Sequence, residues 1–174
     1  NEDELSVVDK QLSEIYINVS MYKSLESSLS CLMPSILIDN EDVAKAINVK
    51  LGDRVSYFKF IQNLDNMNAL IKSYPIGEEE NLSSSDSSFF KILADLNQVY
   101  RAKNAQGLKI IPTSKFSIGQ EWLSPWELMD GRMIEQFQLD ILHELEQYIR
   151  SGNVELANNY TKVMYSSPSD IPSI

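Results

Sequence analysis

ELSVVDKQLSEIYINVSMYKSLESSLSCL, residues 4–32, is the stretch on which the fold turns. Within it Leu5, Val8, Leu12, Ile15, Val19 and Tyr22 follow one another at alternating steps of three and four, which sets them in one line along an α-helix. A strand would alternate at every second residue instead. Glu26 interrupts the line, Leu29 and Met33 resume it, and Pro34 ends the helix. Val7, Tyr16, Met21 and Leu25 widen the stripe beyond a strict two-position seam. The expectation is a helix packed inside its own bundle rather than a free coiled-coil dimer.

Helical signals continue along the chain. Asp39-Asn40-Glu41-Asp42 sets capping and acidic side chains ahead of Val43–Ile47, the arrangement that satisfies the unpaired N–H groups of a helix start. Gly52 fits the stop of that short helix, and Asp53 the cap of a longer one carrying Tyr57, Phe58, Ile61, Leu64, Met67 and Ile71 as far as Pro75. Residues 76–88 are polar and serine-rich, a loop whose serines cap the following helix; that helix bears Phe89, Phe90, Leu93, Leu96 and Tyr100 and frays near Asn104–Gly107. Residues 108–123 have no helical period, are broken by Pro112 and Gly119, and predict an extended segment packed by its own apolar side chains. Ser124-Pro125-Trp126-Glu127 combines a capping serine, proline at the first helical position and glutamate three residues past the cap. One helix is expected from there to Ser151, bent at Gly131, with Gly152-Asn153 stopping it before a last helix over 154–165.

The sequence of 174 residues suits one domain, with 43% hydrophobic and 23% charged residues. Cys31 is the only cysteine and His143 the only histidine, so an intrachain disulfide, a cysteine zinc cluster and a two-histidine zinc site are beyond the chain's inventory. Neither a metal nor a cofactor is expected. Glycine-rich phosphate loops and nucleophile elbows are absent from the sequence, and Glu78-Glu79-Glu80 lacks the alternating oxygens and turn glycine of a calcium loop. A net charge of −10 repels nucleic acid; Arg101, Lys103, Lys109 and Lys115 form one basic island without interleaved aromatics. No run approaches the ~18 apolar residues that span a bilayer, so membrane insertion is not expected.

Two local strings resemble known motifs. Phe137-x-x-Asp140-Ile141-x-His143-Glu144-Leu145 resembles the phosphoacceptor helix of sensor histidine kinases over nine residues, although Glu146-Gln147 stands where that family has a basic residue, threonine and proline. The resemblance implies His143 as an exposed phosphoacceptor. At about 100° per residue His143 lies opposite the line of Ile134, Phe137, Ile141, Leu145 and Tyr148, in company with Gln136, Leu139, Glu146, Gln147 and Arg150. Residues 148–157 with Met164 look like the hinge of a pentatricopeptide hairpin, but no second copy recurs at a fixed period.

The sequence therefore predicts an all-α, irregular helical bundle of about four long and two short helices with one extended segment near 108–123. A single domain is expected over 1–165 and a flexible tail over 166–174. Elimination leaves a non-enzymatic protein–protein interaction module, a subunit or regulatory domain of a larger assembly, with Trp122, Trp126, Leu139, Lys109 and Lys115 as partner contacts. The alternatives are an extracytoplasmic helical sensor holding a small ligand between helices and the His143 phosphoacceptor.

Overall fold

The computed structural model describes residues 7–74, 83–105, 107–114, 122–130 and 134–152, and it is mostly helical. Helix α1 (Val7–Leu29) runs into a 3-10 turn (Ser30–Leu32) and strand β1 (Ile36–Leu37). Next come α2 (Glu41–Ala46), β2 (Arg54–Val55), α3 (Tyr57–Ile61) and α4 (Leu64–Ser73). Helix α5 (Ser84–Arg101), strands β3 (Ile111–Pro112) and β4 (Trp122–Leu123), and helices α6 (Pro125–Met129) and α7 (Gln136–Ser151) complete it. The last helix expected over 154–165, the tail over 166–174 and Glu78–Glu80 lie outside the described residues.

Two apolar clusters hold the body together. In one, β1 and β2 contribute Ile36 and Val55, α2 Val43, α4 Met67, and α5 Phe89 and Ile92. In the other, Cys31 and Leu32 of the 3-10 turn meet Ile111, Leu123, Trp126, Leu128 and Leu142. Helix α3 joins them, because Phe58 and Phe60, two residues apart, point into different clusters. Each cluster is sealed by a short antiparallel ladder, Ile36 opposite Val55 and Ile111 opposite Leu123.

The 108–123 segment is extended where it is described, pairing with itself as β3–β4. The first ladder, β1–β2, has no counterpart in the sequence reading, since two residues are too few to show a period. Its formation moves the next helix start. Asp53 accepts from the Lys50 N–H (3.1 Å) inside the turn, and Ser56, not Asp53, caps α3 by accepting from Lys59 N–H (3.2 Å). The helix expected to run on to Pro75 is divided at Gln62–Asn63 into α3 and α4. Helix α5 starts earlier than expected, at Ser84, because Ser83 and Asp86 form a reciprocal capping box (3.1 and 3.0 Å). The single helix expected over 124–151 is two. Helix α6 ends at Met129, where Lys103 holds Asp130 (2.8 Å), and α7 begins afresh with the Glu135 N–H bonded to Gln138 Oε1 (3.1 Å). Gly152 stops α7 as read, with left-handed φ of 62° and its N–H on Tyr148 O (2.9 Å).

Candidate interaction site

Helix α1 departs furthest from expectation. Residues 8–26 are all exposed, and the line Val8, Leu12, Ile15, Val19, Tyr22 is between 47% and 65% exposed rather than buried in the bundle. Only the last turns touch the body, and they do so through small side chains. Asn104 Nδ2 donates to Ser24 Oγ (3.3 Å), Trp126 Nε1 to Ser27 O (3.0 Å), and Leu108 N–H to the buried Ser28 Oγ (3.0 Å), which itself donates to Ser24 O (2.7 Å). At about 100° per residue, Ser24, Ser27, Ser28 and Cys31 cluster on the side opposite the apolar line. The face that seats α1 on the body therefore turns the seam away from it. Tyr16 and Leu25 flank the seam, while Ile17 and Met21, four residues apart, lie together on the opposite side in line with Ser24 and Ser28.

Gly107 makes this seat possible. A Cβ there would lie 1.7 Å from Ser28 Oγ and 2.9 Å from Asn104 Nδ2, so the chain can pass under α1 only without a side chain.

A second concave feature lies where α3, α4 and α5 meet. Phe60, Leu64, Met67, Leu93, Leu96 and Tyr100 line an open groove of about 230 Å³, with Asn68 and Asn97 as polar members. That volume is below the roughly 300 Å³ at which pockets for drug-sized ligands begin. Among the described residues every buried side-chain N and O has a hydrogen-bond partner.

The five residues expected as partner contacts do not form one patch. Trp126 is fully buried, its indole packed between Tyr57 (5.2 Å between centroids) and Tyr100 (6.1 Å) and its N–H given to α1, which places it in the core. Leu139 is half-buried against the Trp126 cluster. Trp122 is 37% exposed on β4. Lys109 is at the surface but ion-paired with Glu127 (3.3 Å), and Lys115 lies outside the described residues. Lys103 is likewise taken by Asp130 and lies 4.2 Å from the Tyr100 ring, so two cations of the basic island serve internal contacts.

The buried face of α7 is rotated from the one derived from periodicity. It centres on Gln138 and Leu142, neither of them on the expected line, and Gln138 is buried with its Nε2 on Pro112 O (3.1 Å). Glu146 and Arg150, grouped with the solvated residues, bind Ser56 Oγ and Arg54 O (3.0 Å) respectively. His143 is exposed, as expected, with its ring edge-on to Phe58 at 5.2 Å and its Nε2 2.7 Å from Gln62 Nε2.

Among the described residues no three His, Cys, Asp or Glu side chains gather as a metal site, and no helix is long and apolar enough to cross a membrane. Searches of protein-family models, curated proteins and solved structures found no match. The exposed seam of α1 has to be interpreted from its own chemistry. Most of the stability of a helix in a protein comes from packing of its apolar face, and α1 is packed only at one end.

Proposed function

We propose that this chain is a non-enzymatic protein-binding module whose docking element is α1. The observation that carries the reading is the unbroken apolar line from Val8 to Tyr22, exposed and directed away from the body. Five large apolar side chains held in water at helical spacing are the chemistry of a helix-in-groove or helix-pair contact. Of the contacts expected from sequence, Trp122 and Leu139 remain candidates for a secondary surface on β4 and α7, remote in character from the α1 seam.

The test is association of the intact chain with proteins of its native source, compared with a Leu12→Glu/Ile15→Glu variant and a Lys109→Glu variant. A stoichiometric associate, whether another protein or a second copy, is expected with the parent and with Lys109→Glu and is lost with the double variant. Equal association by all three would place the contact elsewhere, and association by none would remove the reading.

A small-ligand sensor is the second reading, favoured only by the groove between α4 and α5. Its size suits a single side chain or a fragment. Filling it by Leu96→Trp should leave α1-dependent association intact.

A further inference from the structure

We propose that the α1 seam is covered by α1 of a second copy of this chain, running antiparallel, with Val8 opposite Val19 and Leu12 opposite Ile15. The inference deepens the reading of α1 as a docking element and rests on it. The steps of three and four among exposed residues specify a partner that is itself a helix, since only a rod presents knobs at that repeat along ~21 Å.

Charge and register then choose the partner and its direction. Glu26 continues the apolar line at the next position after Tyr22 and is exposed. In a parallel pair of identical helices the two Glu26 carboxylates would face one another across the seam, where like charges are destabilising. The antiparallel register avoids this. Val8 meets Val19 and Leu12 meets Ile15 twice each about a two-fold axis, and Glu26 lies beyond these shared layers. On one flank the neutral amides of Gln11 and Asn18 come opposite each other, and on the other Asp9 comes opposite Tyr16, so no like charges meet among the described residues of the pair. The antiparallel direction is thus free of the like-charge contact that a parallel pair would carry at Glu26.

The rest of the fold leaves room for the pair. Each body is attached from Ser24 onward, ~16 Å from the two-fold axis at 1.5 Å per residue, and on the helix side opposite the seam. The bodies therefore sit at opposite ends. Covering the five seam residues of both copies with the flanking Tyr16 and Leu25 removes roughly 1,000 Å² or more from water, the lower bound of a specific interface.

Sedimentation equilibrium of the full chain from about 1 to about 100 μM, the span of micromolar dissociation constants, should show a monomer–dimer equilibrium. Leu12→Glu alone and Ile15→Lys alone should each sediment as monomers, whereas an equimolar mixture should recover dimer, because the glutamate of one then faces the lysine of the other only in the antiparallel register. Leu12→Cys, made with Cys31→Ser, should form no disulfide by itself and form one when mixed with Ile15→Cys. A monomeric parent across the range overturns self-pairing while leaving seam-dependent binding of another protein to be seen in the preceding test. A dimer unaffected by either charge variant, or a disulfide formed by Leu12→Cys alone, overturns the proposed register.

Discussion

Ser28 shows how much of this architecture depends on one small hydroxyl. It is fully buried under Gly107, and its Oγ both donates to Ser24 O and accepts from Leu108 N–H. Ser28→Ala leaves the Leu108 N–H without its acceptor, at a cost of about 1–3 kcal/mol. Gly107→Ala drives a methyl into the same oxygen, at a cost of about 1–3 kcal/mol for overpacking. Denaturant unfolding should place both variants below the parent, and an unchanged midpoint for Gly107→Ala would show that the chain can shift away from α1. Cys31 sits in the same seat, where burial pushes its thiol up to about 12. The thiolate is the reactive species, so a disulfide reagent at about pH 8 should label Cys31 only upon unfolding. Fast labelling of the folded chain would mean that the seat opens.

At the scale of elements, the caps account for where the helices begin. In α6, burial acts to raise the Glu127 pKa, but the bond from Ser124 N–H and the charge of Lys109 outweigh it and hold the carboxyl below its ordinary 4.5. A depressed carboxyl supports the fold above the unfolded pKa and loses that support as pH falls through the lower folded value. Acidification below about pH 4.5 should therefore loosen α6, seen as a change in Trp126 fluorescence, and Lys109→Ala should move that change to higher pH. Ser124→Ala should cost about 1 kcal/mol of stability at neutral pH in equilibrium unfolding, the ordinary value of a serine cap. A flat fluorescence profile into acid would separate the cap from the folding of the core.

The same elements show what the sequence could and could not disclose. Ser124-Pro125-Trp126-Glu127, Asn40 before α2 and Gly152 after α7 were legible because a cap is a local contract between neighbours in the chain. The β1–β2 ladder was not, since it joins residues about eighteen apart over only two pairs. The burial of Gln138 was not legible either, since its amide is satisfied by Pro112 O, a partner supplied by a different element. The α1 periodicity correctly announced a helix but could not say whose surface covers it. The missed signal lay on the opposite face, where Ser24, Ser27, Ser28 and Cys31 are small enough for close approach to the body.

Across the whole molecule, the two apolar clusters linked by α3 form a body complete without the seam, and α1 is an appendage seated on that body at one end. Two cations of the basic island are held in local pairs, Lys103 with Asp130 and Lys109 with Glu127, and the apolar line on α1 is the longest run of exposed large apolar side chains at helical spacing among the described residues. The most direct measurement is a comparison of amide ¹H–¹⁵N spectra of the parent and the Leu12→Glu/Ile15→Glu variant in dilute solution. Shifts confined to α1, with Ile36, Phe58 and Leu142 unmoved, are the predicted result. Perturbations spreading through both clusters would contradict it, because they would mean that the seam packs within its own fold.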